Sequence, residues 1–238
     1  MNKLSNKKIV VAGGSSGIGL ATVALIAGMD AVVTVISRDD DKLKTAADTH
    51  KAIKAVAVDA SDRKQLDAFF LQNGKFDHLI VTLSGGKGSG LFKDLQLDDL
   101  RSGFEAKLFP QLNTVQAALP YLNEHGSITL VTAISSRSRA SGTSGLAAIN
   151  AALEAMLPAL AKELKPLRIN AVAPGVVDTA WWNFMDAETK KKTFEDYAKQ
   201  IPVGRVAQPS DIAECIAFLV SNEYITGSVI DADGGLRL

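Results

Sequence analysis

The chain has 238 residues, 47% of them hydrophobic and 22% charged, with 26 basic and 26 acidic side chains and a formal charge of zero. That balance excludes a disordered polyelectrolyte, and with no net field to attract nucleic acid or an anionic membrane, neither partner is expected. Cys215 is the only cysteine, which excludes an intrachain disulfide and leaves no thiolate cluster for a metal.

Behind the basic Met1–Lys8 stretch the apolar run Ile9–Ala12 is too short for a signal or membrane segment, so a cytoplasmic setting is expected. Lys7–Ala12 reads as a buried strand, Gly17–Met29 as a helix, Ala31–Ser37 as a second strand and Asp39–His50 as a helix with acids in its first turn. Ala55–Val58 is the third strand, and Ser61–Asn73 a helix with Ser61 as its N-cap. His78–Leu83 is a strand, Asp98–His125 a long helix, Ser127–Thr132 a strand and Gly142–Leu164 a second long helix. Arg168–Val172, a helix over Pro209–Ser221 and a strand over Ser228–Asp231 complete the series.

Continuous apolar strands separated by helices predict a parallel sheet covered on both faces. Repetition of that unit gives a single doubly wound α/β domain of Rossmann type, seven strands over residues 1–238. The stretch Pro174–Ile201 breaks the rhythm: with Trp181, Trp182, Phe184 and Met185, it reads as a short helical insert near 178–200 over the carboxyl edge of the sheet. Pro110 and Pro158 each remove a backbone donor inside a long helix and predict a kink. His50, His78 and His125 are dispersed and read as surface or strand-edge residues with no role; no metal site is expected.

The first strand runs into Gly13-Gly14-Ser15-Ser16-Gly17-Ile18-Gly19, where a helix begins. Glycines there permit positive φ and close backbone approach, and a helix N-terminus offers free N–H groups to a pyrophosphate. The flanks, strand before and helix after at the first βα turn, are those of a dinucleotide site.

The spacing Gly-x-x-x-Gly-x-Gly resembles that of short-chain dehydrogenases/reductases. Arg168-Ile169-Asn170-Ala171-Val172-Ala173-Pro174-Gly175-Val176-Val177-Asp178-Thr179 resembles the family's sixth strand and following loop. Pro202-Val203-Gly204-Arg205 with Pro209-Ser210-Asp211, and Thr226-Gly227-Ser228 through Asp233-Gly234-Gly235, resemble its last helix entry and C-terminal turn. The resemblance covers essentially the whole chain.

The second strand ends in Ser37-Arg38. An acid there would accept from a ribose 2′-OH; a hydroxyl followed by arginine suits a 2′-phosphate, so the expected cofactor is NADP(H). The resemblance places Asp59 and Ala60 at the adenine, and Pro174, Gly175, Val177 and Thr179 around the nicotinamide and neighbouring phosphate. Where the family carries Asn-Asn-Ala-Gly, this chain has Thr82-Leu83-Ser84-Gly85, which keeps backbone contacts from Leu83, Ser84 and Gly85 but loses the asparagine side chains.

The family's chemistry uses a tyrosine as acid/base, a lysine four residues on, a serine that polarises the carbonyl, and an asparagine in the preceding long helix. Anchored on the fifth strand and on Ala151-Ala152-Leu153-Glu154-Ala155, the tyrosine position falls on Leu146, the lysine on Asn150, the serine on Ala133 and the asparagine on Lys107. No tyrosine lies between Tyr121 and Tyr197, so no shift of register restores the set. Lys107 and Ser135 are candidate substitutes, and the loop Ser135-Ser136-Arg137-Ser138-Arg139 would suit an anionic ligand.

The resemblance implies an NADP(H)-dependent oxidoreductase of a small molecule with a degenerate tetrad. The alternative is a non-catalytic NADP(H)-binding sensor or inactive partner subunit, and a third reading is another reaction class on the same fold. The family also packs its long helices between subunits, which implies a homo-oligomer, tetramer or dimer, with Ala151, Ala152, Ala155 and Ala159 allowing close approach.

Overall fold

The computed structural model describes residues 3–48 and 53–238. Seven strands, β1 (Lys8–Ala12), β2 (Val32–Ser37), β3 (Ile53–Ala57), β4 (Phe76–Val81), β5 (Leu122–Val131), β6 (Arg168–Pro174) and β7 (Val229–Ala232), form one parallel sheet in the order β3-β2-β1-β4-β5-β6-β7. Between them run α1 (Gly17–Ala27), α2 (Asp40–Asp48), α3 (Arg63–Asn73), α4 (Leu97–Ala118), α5 (Ser144–Glu163), α6 (Ala187–Gln200) and α7 (Pro209–Ser221). This is the doubly wound arrangement expected from the strand pattern.

Successive strand residues face opposite sides, so each strand feeds two cores. Val10 and Ala12 join Phe70, Leu79, Leu130, Leu153 and Leu157 beneath α3, α4 and α5. Ile9 and Val11 join Val35, Ile80, Val172, Ile212 and Ile216 beneath α1 and α7. None of these is more than 1% exposed. Full burial of a large apolar side chain contributes about 1.5–3 kcal/mol, so the two layers together hold the sheet. Arg168, almost buried, donates to the carbonyls of Leu219 and Val220, both at 2.9 Å, and ties β6 to the end of α7. A cation suits that negative helix end.

Several boundaries differ from expectation. The helix expected to reach His125 stops at Ala118; a 3-10 turn over Leu119–Tyr121 carries Pro120, and β5 starts at Leu122. His125 therefore lies in a strand. Asp77 holds this early part of the sheet: its carboxylate accepts from Lys8 N and Asn123 Nδ2, each at 2.8 Å. The N-cap of α3 is Asp62 rather than Ser61, because Asp62 accepts from the N–H groups of Lys64 and Gln65 while Ser61 is turned toward Asp59. β4 begins at Phe76, which puts His78 inside a central strand, not at its edge; it is 7% exposed and bonded to Ser127 Oγ at 2.8 Å. The expectation for His50 lies outside the described residues.

Candidate functional site

Strand order reverses between β1 and β4, and the chain leaves their carboxyl ends in opposite directions, opening a crevice there. The Gly13–Gly19 turn lines it. Gly13 sits at φ +82°, and a Cβ on Gly19 would stand 2.2 Å from Gly13 O, so a side chain at 19 would drive into the backbone. Ser16 at the N-cap of α1 makes no side-chain capping bond, which among the described residues leaves the first-turn N–H groups without a side-chain cap. This glycine cradle and the uncapped helix end fit a pyrophosphate. Ile18 packs into the core below the loop.

Ser15 Oγ donates to Ser37 Oγ at 2.8 Å, joining the loop to the end of β2. Arg38 beside it is exposed. Of the three acids that follow, Asp39 pairs with Lys42 at 2.9 Å and Asp41 with Lys44 at 3.1 Å, while Asp40 forms no ion pair among the described residues. Among the described residues Arg38 forms no ion pair, and it borders an open cavity with Ser61, Arg101 and Ala106, which is also lined by Asp98, paired with Arg101, and by Glu105. Asp59 accepts from both the N–H and the hydroxyl of Ser61 through one oxygen, with buried Ala60 between them. Leu83 O accepts from Gln111 Nε2 at 2.9 Å, and a Cβ on Gly85 would stand 2.8 Å from Ala106 Cβ, so the Leu83-Ser84-Gly85 turn lies against α4. On the other wall Pro174 ends β6, Gly175 packs on Asp233, and buried Val177 bridges to Ala207. Thr179 brings its methyl group to 3.3 Å from where a Cβ on Gly17 would stand, over the phosphate loop.

Past β5 the chain turns at Ala133 into a 3-10 segment, Ile134–Ser136. Charged and polar groups from α4, α5, β7 and the turn after β5 meet there. Lys107 on α4, 8% exposed, donates from Nζ to Thr132 O at 3.1 Å. Burial lowers its ammonium to about 8, opposed by the Glu154 carboxylate. Thr132 Oγ1 donates to Glu154 at 2.6 Å, and Arg137 donates to the other Glu154 oxygen at 2.6 Å. Arg137 also reaches Asp231, whose second oxygen pairs with Arg237 Nε at 2.8 Å. Asn150 Nδ2 donates to Ser135 Oγ at 3.1 Å and to Leu146 O at 2.9 Å, while Asn150 Oδ1 is buried without a protein partner among the described residues. The structure thus brings Lys107, Ala133, Ser135, Leu146 and Asn150 to one junction.

A family model described as enoyl-(acyl carrier protein) reductase matches residues 12–237. Carbonyl reductase family member 4 of Xenopus tropicalis is 31% identical over 240 residues, 98% of each chain. The human 3-oxoacyl-[acyl-carrier-protein] reductase is 32% identical over 243 residues, 98% of this chain and 99% of its own. The chain belongs to the short-chain dehydrogenase/reductase family. Among solved structures, a small-chain dehydrogenase in complex with NADPH has 33% identity and a TM-score of 0.85, covering 98% of this chain and 99% of its own. A short-chain dehydrogenase/reductase from Serratia marcescens has 25% identity and a TM-score of 0.89, covering 99% and 100%.

Within this family member the stretch after β6 forms a 3-10 turn, Ala180–Trp182, and then α6, opened by Asp186 as N-cap. Trp182 Nε1 donates to Val177 O at 3.0 Å, which fixes an aromatic cluster at the carboxyl edge of the sheet. Trp181 meets Trp182 at 4.9 Å and Phe184 at 5.4 Å, both edge to face. The Trp181 indole nitrogen comes within 3.8 Å of where a Cβ on Gly86 would stand, so the insert reaches across to the loop leaving β4. That loop is pinned from below. Gly90 N donates to Gly142 O at 2.8 Å, and a Cβ on Gly145 would stand 2.3 Å from Gly88 O.

Sequence reasoning missed Glu154, which holds Thr132 and Arg137, and Asp231, which holds Arg137 and Arg237. One signal was present: Glu154 is a lone acid in an apolar helical stretch, and a buried carboxylate needs partners. Because Arg137 is committed to Glu154 and Asp231, Arg139 is the guanidinium of the 135–139 loop that has no ion pair among the described residues.

Proposed function

We propose that this chain, acting as one unit over residues 1–238, binds NADP(H) and is an oxidoreductase of a small molecule with a degenerate catalytic tetrad. The observation that carries the reading is Arg38, unpaired among the described residues beside Ser37 at the end of β2, next to the Gly13–Gly19 cradle. The pyrophosphate would lie on the N–H groups of Gly17, Ile18 and Gly19, with Ser15 and Ser16 beside it. Ser37 and Arg38 would hold the 2′-phosphate, with Asp59 and Ala60 at the adenine. Leu83, Ser84 and Gly85 would pass under the adenosine, and Pro174, Gly175, Val177 and Thr179 would frame the nicotinamide. When bound, NADP(H) supplies or accepts a hydride there. The NADPH complex of the 33%-identical neighbour supports this choice of cofactor.

In the family's tyrosine and lysine positions stand Leu146 and Asn150, and Ala133 replaces the serine. Lys107 and Ser135 are the nearest groups able to act on a substrate, Lys107 by its charge and Ser135 by its hydroxyl. Calorimetric titration with NADPH and NADH tests the reading: NADPH should bind the more tightly, and equal affinity refutes it. NADPH that binds but reduces no acceptor would assign the non-catalytic sensor role instead.

The assembly we infer is a homo-oligomer, tetramer or dimer, in the cytoplasm. Ala155, Met156 and Ala159 on α5 and Phe109 on α4 leave apolar side chains exposed on adjacent helices. A monomeric mass by light scattering at micromolar concentration would refute the oligomer.

A further inference from the structure

We propose that the substrate of this site already carries positive charge at its reacting carbon–nitrogen bond, as an N-alkylated cyclic iminium ion does, and takes up hydride without a proton from the protein. The inference rests on the NADP(H) reading above. It starts from the commitments of each proton-bearing group at the junction. A ketone that receives hydride becomes an alkoxide and needs a proton at once. Leu146 has none to give. Asn150 is neutral, and both its amide hydrogens have acceptors, Ser135 Oγ and Leu146 O. Lys107 is buried, with its ammonium turned to Thr132 O. Ser135 Oγ accepts from Asn150, and among the described residues no charged group bonds to it, so its hydroxyl can hold an oxygen but has no relay to replace a proton it gives up. Glu154 is closed off by Thr132 and Arg137.

An iminium acceptor removes that requirement. The C4–H bond of the reduced nicotinamide breaks, and its hydrogen and electron pair form a C–H bond at the iminium carbon. The C=N π pair collapses onto nitrogen and cancels its charge. NADPH is oxidised to NADP⁺, the iminium is reduced to an amine, and no proton enters or leaves.

Two further features suit a cation. Asn150 leaves its position on α5 neutral, and the charges bonded together at the junction offset one another: Lys107 faces the field of Glu154, Arg137 lies between Glu154 and Asp231, and Arg237 lies between Asp231 and Asp233, while the exposed Arg139 has no ion-pair partner among the described residues. Aromatic rings supply the attraction. Trp181, beside the loop that leaves β4, is 39% exposed, and Phe184, packed edge to face on Trp181, is 67% exposed, so both leave ring surface uncovered. Ring faces attract cations and not their neutral counterparts.

The test uses the full chain saturated with NADP⁺ for binding and with NADPH for turnover. The probes are N,N-dimethyl-tetrahydroisoquinolinium, a cation that cannot be reduced, N-methyl-3,4-dihydroisoquinolinium, its reducible relative, and 1-tetralone, a neutral ketone of similar shape. By calorimetry the non-reducible cation should bind about tenfold or more tightly than tetralone. Trp181→Leu, which keeps apolar bulk, should weaken it about 5- to 30-fold, and Phe184→Leu should act in the same direction. In turnover, the iminium should consume NADPH well above a protein-free blank while tetralone does not. Equal affinity for cation and ketone, an unchanged cation affinity in both variants, or reduction of tetralone at the iminium's rate overturns the proposal. If NADPH binds and the iminium is not reduced, the substrate class is wrong and the cofactor reading stands. If NADPH does not bind, both fall.

Discussion

Lys107 Nζ donates to the carbonyl oxygen of Thr132 at 3.1 Å, and the hydroxyl of the same threonine donates to Glu154 at 2.6 Å. One residue thus separates a buried cation from the carboxylate that opposes its loss of charge. The ammonium touches no carboxylate among the described residues, and desolvation outweighs the distant attraction, which is why its pKa falls to about 8.

This gives the first prediction. The unfolded chain holds this proton up to pH 10.5, whereas the folded chain releases it near 8. Between those values the unfolded state binds more protons, so Lys107 makes stability rise with pH across the window; below 8 both states are charged and the penalty is constant. The gap corresponds to about 3 kcal/mol. Lys107→Met should lack this pH dependence and be more stable than wild type at pH 7 by on the order of 1–3 kcal/mol. Urea midpoints of the two proteins at pH 7, 8.5 and 10 check it.

His78 behaves in the acid range. Burial within the sheet lowers it from 6.5 to about 4, with Asp77 acting the other way. As pH falls from 6.5 toward 4 the unfolded chain gains a proton that the folded chain refuses, so stability is lost through that window by about 3 kcal/mol and then levels off. His78→Gln should lose less stability than wild type between pH 7 and 4. Paired urea titrations at those two pH values read the difference, and parallel losses would show that His78 is not the group involved.

Arg38→Ala should remove most of the preference for NADPH over NADH. A charge-assisted contact to the 2′-phosphate is worth about 1.5–3 kcal/mol, or roughly 10- to 150-fold in affinity. NADH affinity should hardly move, since its ribose offers no phosphate there. Calorimetry on both proteins with both cofactors gives the four constants needed.

Leu146→Tyr with Asn150→Lys should leave ketone reduction close to undetectable. The new phenol would still face Ala133, with no hydroxyl to hold the carbonyl oxygen, and Lys107 would still occupy the asparagine position. Groups that act as a unit are strongly non-additive. NADPH consumption against a panel of ketones measures it; vigorous turnover in the double variant would mean that Ala133 and Lys107 are innocent.

The parts of the fold visible in the sequence are those governed by local signals. Pro209 followed by an apolar periodic run marked α7 to the residue, and Gly13–Gly19 marked the crevice because only glycine fits those backbone positions. The first half of β5 was hidden because Asn123, Glu124 and His125 are exposed and polar, so the strand shows no apolar run until Gly126 is passed. His78 was misjudged for a related reason: its burial comes from Ser127 and neighbouring strands, not from adjacent residues. At the junction, Lys107 and Asn150 were legible as positions. The link from Glu154 through Arg137 to Asp231 was not, because it spans 94 residues between Arg137 and Asp231 and no local pattern encodes it.

The contact between Gly88 and Gly145 is backbone against backbone, with Gly90 bonded to Gly142 alongside it. No rotamer change can widen such a gap, since there is no side chain to rotate. The loop leaving β4 and the start of α5 are therefore held at a fixed separation, and they can part only as whole pieces of backbone. A change of side chain at Leu146, one residue on from Gly145, would leave that separation as it is.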